Sequence, residues 1–313
     1  MISPEELREL GDKGYRGSDL IGRTGLERYY EDHLRGQDGG QQVEVNAFSR
    51  PLRVLGTQSP IPGNNLILTI DWELQAAAEA ALEEQLAHIR ATTKAKGAYA
   101  GSVIVLDPNN GEILALVSQP RYDPNRFIEP GYDPNRFLIS VPPDYYQSLQ
   151  EAPSALNNYA LTGQYHPGSS FKPITLIAAF EGGGASPQTT HYCGGTYKFG
   201  RQCWVMTNDP PLAVHGRVDG VAAMADSCNI YFWSIAEEAG IDKIAAAARA
   251  FGLDRPTGID LFPWEAKGLI PDPAWKRRQF RSSPGNQGWY PGDTLNVAIG
   301  QLVEVSPIQM AVF

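Results

Sequence analysis

Tyr165-His166-Pro167-Gly168-Ser169-Ser170-Phe171-Lys172-Pro173-Ile174-Thr175 joins a turn signal to a helix start. Pro167-Gly168 punctuates the chain, and the apolar run from Ile174 to Phe180 continues as a helix would. Ser169 then falls in the first helical turn with Lys172 three residues later on the same face. A serine hydroxyl is a weak nucleophile until a neighbouring base removes its proton. A lysine serves as that base when burial or a nearby cation lowers its pKa. The helix start adds backbone N–H groups and partial positive charge where an oxyanion would develop. Pro173 sits close enough to the helix start to be tolerated. Ser-x-x-Lys alone is also what a capping serine and a solvated lysine look like, so the pattern needs company.

Ser227-Cys228-Asn229 supplies it, lying between two apolar helical stretches, Val221–Ala225 and Ile230–Ala239. In an extended segment residues i and i+2 point the same way, so Ser227 and Asn229 are expected to face one cleft. Serine and asparagine also favour helix caps, which is the plainer explanation of the triplet. The order, Ser-x-x-Lys and then Ser-x-Asn, is that of the penicillin-recognising serine acyltransferases. With Tyr165-x-Pro-Gly-Ser-Ser-Phe-Lys-Pro the chain resembles the class B penicillin-binding proteins, in particular the cell-elongation type, the penicillin-binding protein 2 group.

Length and composition are compatible with that resemblance. The 313 residues suffice for one large domain and a smaller one. An apolar content of 42% against 19% charged allows a substantial core. The net charge of −9 argues against a nucleic-acid partner. No stretch approaches the roughly 18 apolar residues of a membrane span, and no signal-peptide pattern opens the chain.

Taken in order, Ser3-Pro4-Glu5-Glu6 reads as a helix start, and Gly25 to Gly36 as one short amphipathic helix closed by glycine. The latter resembles the pedestal that precedes the catalytic domain in this family. Val43 to Val54 reads as a polar hairpin. Pro60-Ile61-Pro62-Gly63 is the expected boundary, giving a partial pedestal domain over 1–63 and a transpeptidase domain over 64–313. Leu66–Ile70 is expected as a strand, and Asp71 as the cap of a helix with Leu74, Ala78, Leu82, Leu86 and Ile89 on one face. Ser102–Leu106 and Glu112–Ser118 flank Asn109-Asn110-Gly111, a hairpin signal. Tyr122-Asp-Pro-Asn-Arg-Phe127 recurs as Tyr132-Asp-Pro-Asn-Arg-Phe137, a local duplication read as a surface loop. Ile241–Leu253 reads as a helix ending near Gly252, and Trp275–Pro291 as more loop than core. Ser306-Pro307-Ile308-Gln309 combines an N-cap, an N1 proline and a capping-box glutamine.

The resemblance implies an α+β fold of the penicillin-recognising, β-lactamase-like kind, an antiparallel sheet flanked by helices. It also implies a function: peptidoglycan DD-transpeptidation of stem pentapeptides through an acyl-enzyme on Ser169, with β-lactams as acylating inhibitors. Lys172 would take the Ser169 proton, Ser227 would pass one to the leaving nitrogen, and Asn229 would bind the substrate amide. The oxyanion hole would use the Ser169 N–H and a donor from a Lys-Thr-Gly or Lys-Ser-Gly strand. No such triplet occurs in this sequence, and Gly300-Gln301-Leu302 departs from the family's Gly-Gln-Gly. The sequence is therefore expected to lack the C-terminal part of the transpeptidase domain, and to be inactive by itself. The membrane anchor and the first part of the pedestal are likewise expected outside it. Implied partners are a SEDS-type glycosyltransferase and elongation-complex proteins, at the periplasmic face of the bacterial inner membrane. A DD-carboxypeptidase or β-lactamase, handing the acyl group to water, and a non-catalytic β-lactam sensor are the alternatives.

Three cysteines, Cys193, Cys203 and Cys228, with His215 between the last two, make a further constellation. Thiolates and imidazole are the ligand set of tetrahedral zinc. The spacings match no zinc-finger pattern, and a Cys193–Cys203 disulfide with Cys228 buried is the competing reading. By resemblance, some elongation-type members carry Cys or Asp at the first two positions, then His-Gly, then Ser-Cys-Asn or Ser-Cys-Asp, which all four positions fit. A structural Zn²⁺ is thus implied, and no organic cofactor. His33, His88, His166 and His191 read as surface or packing residues.

Overall fold

A computed structural model describes residues 4–10, 13–16, 19–124, 154–261 and 265–313. The second copy of the Tyr-Asp-Pro-Asn-Arg-Phe repeat lies outside them. The chain forms two compact units. The first takes its described residues from Met1–Asp71, Pro120–Leu156 and Gly258–Trp264, the second from Trp72–Gln119, Asn157–Thr257 and Glu265–Phe313.

In the first unit, α1 (Pro4–Leu10) follows the Ser-Pro start. The helix expected over Gly25–Gly36 is two, α2 (Gly25–Tyr29) and α3 (Glu31–Leu34), broken where Tyr30 leaves helical geometry at φ −103°, ψ 19°. Neither buries a residue. Position comes instead from polar contacts: the Arg35 guanidinium lies 3.5 Å from the Tyr15 ring centroid and 3.1 Å from the Asp19 carboxylate. The hairpin pairs β1 (Gly40–Val45) with β2 (Pro51–Gln58), and Asn46 Oδ1 closes its turn by accepting from Phe48 and Arg50 N–H groups. Ile61 exchanges backbone hydrogen bonds with Gln37 at 2.7 and 2.9 Å. Gly63 is there by necessity, since a Cβ would lie 1.8 Å from the Leu34 carbonyl oxygen. The strand expected over Leu66–Ile70 does not form. No residue of that stretch joins a ladder, and Ile67 is 93% exposed.

The second unit opens with α4 (Trp72–Thr92), whose Leu74, Ala78, Leu82 and Ile89 are partly covered and Leu86 buried, as the spacing requires. It packs on the antiparallel hairpin β3 (Gly101–Leu106) and β4 (Ile113–Gln119). Gln75 stitches the two together, its side chain both donating to and accepting from the Leu116 backbone at 3.1 and 2.8 Å. The hairpin turns on Gly111 at φ +80°.

After α5 (Tyr159–Thr162) the chain enters helix α6 (Lys172–Glu181). A short hairpin, β5 (His191–Cys193) with β6 (Gly216–Val218), leads to α7 (Gly220–Ala225), α8 (Asn229–Ala239) and α9 (Ile241–Ala250). Helices α6, α8 and α9 pack together around Ile174, Ala178, Phe232, Ile235 and Ile244, all buried. Each large apolar side chain so buried contributes about 1.5–3 kcal/mol.

The region read as loop contains α10 (Pro273–Gln279), capped by Asp272 accepting from Trp275 N–H, and runs into α11 (Pro291–Ala298). The last helix, α12 (Pro307–Val312), has the expected capping box. Its Gln309 is 1% exposed and donates to Arg255 O and Lys267 O at 2.8 and 3.0 Å. Tertiary support thus stabilises a helix too short to stand alone.

Candidate active site

Pro167-Gly168, with Gly168 at φ +56°, swings the chain into a 3₁₀ turn over Gly168–Phe171 that continues as α6. Ser169 stays exposed while Phe171 and Lys172, on the inner side, are buried. Lys172 is 1% exposed, yet its amine is fully engaged. Nζ lies 2.7 Å from Ser227 O, 2.9 Å from Ser227 Oγ and 2.7 Å from Asn229 Oδ1, with the Phe232 ring centroid at 5.2 Å. Ser227 Oγ in turn stands 2.9 Å from Ser169 Oγ. Burial lowers the lysine pKa from its ordinary 10.5 to about 8, partly offset by the Cys203 and Cys228 sulfurs.

Ser227 holds this position at a cost. It has φ +50°, a left-handed conformation rare outside glycine, between the end of α7 and the start of α8. The Ser-x-Asn segment is therefore a helix–helix corner, not the extended segment expected. Ser227 and Asn229 still share a face, because the corner turns Cys228 to the other side.

On that side Cys193, Cys203, His215 and Cys228 bring their ligand atoms within 4.8 Å of one another. All three cysteines are buried and free. His215 Nδ1 lies 3.4 Å from Cys193 Sγ and 3.7 Å from Cys203 Sγ. The loop between the first two ligands folds back through a Thr196–Gln202 bridge, with Gly195 at φ +86° and Gly200 at φ +71°. Cys203 and Cys228 are hydrogen-bonded to each other, which drives the Cys203 thiol pKa down and the Cys228 thiol up. Backbone N–H groups of Asn229, Ile230 and Val205 also point at Cys203.

The Gly168–Phe171 turn and α6 are held against α11 and the turn that follows it. Thr175 Oγ1 donates to Ala298 O at 2.9 Å, and Gly168 N–H to Gly300 O at 3.0 Å. Gly300 has φ +70°, and a Cβ there would lie 2.3 Å from Gly168 O, so the close approach demands glycine.

The family profile described as the penicillin-binding protein transpeptidase domain matches residues 101–313, and that of the penicillin-binding protein dimerisation domain matches 1–68. This chain belongs to the penicillin-binding protein transpeptidase family. It is 35% identical, over 99% of its length and 42% of the relative's, to the peptidoglycan D,D-transpeptidase MrdA of Acinetobacter baumannii. It superposes with TM-score 0.78 and 34% identity on a chain of a peptidoglycan synthase complex described as coordinating polymerization and crosslinking, covering 98% of this chain and 50% of that one. With the penicillin-binding protein PBP2 of Helicobacter pylori, solved in complex with MreC, the TM-score is 0.76 at 29% identity, covering 98% and 51%. The chain thus spans less than half of the curated relative.

In this transpeptidase-family chain, the four residues expected to carry catalysis come together: Ser169, Lys172, Ser227 and Asn229 form one hydrogen-bonded set. No direct hydrogen bond joins Lys172 to Ser169; Ser227 Oγ stands between them. The four expected metal ligands also converge. Zinc–sulfur bonds of about 2.3 Å and zinc–nitrogen bonds of about 2.0–2.1 Å give tetrahedral edges of about 3.6–3.8 Å. The sulfur–nitrogen separations of 3.4 and 3.7 Å suit that geometry. Among the other histidines, His166 is oriented by Val303 O, 2.7 Å from Nδ1, and His191 packs edge-on against Tyr231. Sequence reading missed Thr175, and it missed Trp204, whose indole packs at a tilt beside His215, centroids 5.8 Å apart, and donates to Asp226 O at 3.0 Å. Neither sits in a motif; only the fold gives them partners.

Proposed function

We propose that this chain carries the acylation site of a peptidoglycan DD-transpeptidase of cell elongation, with Ser169 as nucleophile. The observation that supports it best is the unbroken path Ser169 Oγ, Ser227 Oγ, Lys172 Nζ, each step 2.9 Å. With Lys172 an ammonium, its three N–H bonds serve Ser227 O, Asn229 Oδ1 and Ser227 Oγ, and Ser227 donates onward to Ser169. Once Lys172 is neutral, its two remaining N–H bonds suffice for Ser227 O and Asn229 Oδ1. Its lone pair then accepts from the Ser227 hydroxyl, which in turn accepts from the Ser169 hydroxyl, so both donations along the path reverse without any heavy atom moving.

The Ser169 proton can then pass through Ser227 to Lys172 as Ser169 Oγ attacks the carbonyl between the two terminal D-alanines. The C–N bond breaks, and the leaving amine takes the proton back through Ser227. An acceptor amine from a neighbouring stem peptide forms the new C–N bond as the ester C–O bond to Ser169 breaks, and the same relay takes the amine's proton and returns it to Ser169 Oγ. Asn229 orients the lysine and the substrate amide. A β-lactam acylates by the same steps but keeps its amine tethered.

Cys193, Cys203, His215 and Cys228 would hold a zinc ion. Four protein ligands leave no open position, so the metal would order the corner that carries Ser227 and Asn229 and take no part in the chemistry. The proposed setting is the periplasmic face of the bacterial inner membrane, beside a SEDS-type glycosyltransferase and other elongation proteins. The complexes formed by the two similar structures support those partners. No helix among the described residues is long and apolar enough to cross a membrane.

The test is labelling of the full-length protein by a fluorescent penicillin, with the adduct mapped by mass spectrometry. Label on Ser169, absent from Ser169→Ala, is expected. Label retained by the variant on another serine would overturn the assignment.

A further inference from the structure

The loop between Cys193 and Cys203 carries one side chain that serves neither the metal set nor the serine directly. Arg201 reaches α11, where Nη1 donates to Asn296 Oδ1 at 2.8 Å and Nη2 to Gly292 O at 3.2 Å. Its guanidinium carbon lies 5.9 Å from the Trp233 ring centroid, and Trp233 Nε1 donates to Leu295 O on the same helix at 3.0 Å. The two acceptors of Arg201 are one helical turn apart, a span that a planar five-donor fork covers and a lysine point charge does not. A Cβ on Gly292 would come within 3.2 Å of Nη2, so glycine leaves the fork its seat.

Asn296 matters beyond that contact. Its carbonyl accepts from Gln301 N–H at 2.9 Å and so fixes the turn in which Gly300 O holds Gly168 N–H. Gly168 immediately precedes Ser169. Hydrogen bonds joined by short stretches of backbone therefore link the Cys193–Cys203 loop, through Arg201, Asn296 and the Gly300–Gln301 peptide, to the turn that carries Ser169.

We propose that Arg201 is a positioning residue for acylation, clamping α11 to the Cys193–Cys203 loop and thereby setting the Gly300 turn that holds the backbone before Ser169. The inference rests on Ser169 being the acylated nucleophile. Displacement of a reacting group by about 1 Å can cost about a hundredfold in rate, so loss of a remote clamp is expected to cost about tenfold. The loss belongs in the limiting acylation rate, because Arg201 touches no part of the bound β-lactam in this scheme.

The experiment is stopped-flow acylation of the full-length protein by a fluorescent penicillin, resolving the limiting rate from the dissociation constant of the preceding complex. Metal content and thermal midpoint are measured on each variant. A wild-type protein that takes no label on Ser169 refutes the underlying reading, whatever the variants do. Given wild-type labelling, Arg201→Ala and Asn296→Ala are each expected to slow the limiting rate about tenfold with the dissociation constant, metal content and midpoint held. The double variant should be no slower than the slower single, since both break one clamp. Arg201→Lys, which keeps the charge but not the fork, should fall between. A wild-type limiting rate in Arg201→Ala, additive losses in the double variant, or a loss that tracks lost metal overturns the proposal. If Arg201→Ala does not fold, Asn296→Ala and Arg201→Lys decide by the same criteria.

Discussion

Ser227 Oγ lies 2.9 Å from Ser169 Oγ, and Ser227 achieves this with a left-handed backbone at φ +50°. Hydroxyl and strain can be separated by substitution. Ser227→Ala removes the relay and keeps the strain, while Ser227→Gly removes the relay and relieves it. If the hydroxyl carries protons, both variants lose about 10²–10⁴ in acylation rate, and glycine rescues none of it. Stopped-flow acylation with thermal melts alongside checks this. A glycine variant acylating near the wild-type rate would show that the corner matters only as backbone.

Lys172 gives the pH dependence its sign. Burial holds its pKa down at about 8 against an ordinary 10.5, and only the neutral amine accepts a proton. Acylation by a β-lactam should therefore rise with pH and level off above about 8. Folding follows the same linkage. Between about 8 and 10.5 the unfolded chain binds a proton that the folded chain has released, so stability attributable to this group increases across that window as pH rises. A flat acylation profile between pH 6 and 9 would falsify the role of Lys172 as base.

Much of this was legible because some residues signal by themselves. Pro167-Gly168 announces the turn that carries Ser169, Asn109-Asn110-Gly111 the hairpin, and Ser306-Pro307 with Gln309 a capping box that forms as expected. Other elements depend on partners the sequence does not reveal. Helix α11 begins Pro291-Gly292-Asp293, which reads as a turn. It becomes a helix because Asp293 caps it, pairs with Lys276, and Arg201 and Trp233 hold its far side. Leu66–Ile70 has the composition of a strand, yet among the described residues it joins no ladder. The left-handed Ser227 is invisible in Ser-x-Asn, since nothing local demands it.

Thr175 tests the link between α6 and α11. Its hydroxyl is fully buried and donates to Ala298 O at 2.9 Å. Thr175→Val keeps the shape and leaves a buried carbonyl with one partner fewer, at a cost of about 1–3 kcal/mol. Chemical denaturation should show that loss, whereas Thr175→Ser should recover most of it less a methyl group. Equal stability of the valine variant and the wild type would mean that water or a rearranged donor satisfies Ala298.

The metal set makes the sharpest forecast, because metal and disulfide compete for the same sulfurs. A Cys193–Cys203 bond would need its sulfurs about 2.0 Å apart and would leave His215 and Cys228 without their partners. The observed arrangement favours a metal: His215 Nδ1 sits 3.4 and 3.7 Å from the Cys193 and Cys203 sulfurs, and three backbone N–H groups face Cys203. A Cys203 thiolate gains from those backbone N–H donors far more than a disulfide sulfur does. One zinc per chain is therefore expected in protein purified without chelator, with all three thiols titrating after denaturation under non-reducing conditions. Cys228→Ser should lose the metal and loosen the Ser227 corner, so acylation falls while the α6–α8–α9 core remains folded by circular dichroism. Prolonged chelation of the wild type should reproduce that loss, and added zinc should restore it. Protein that contains no zinc and only one titratable thiol would establish the disulfide instead.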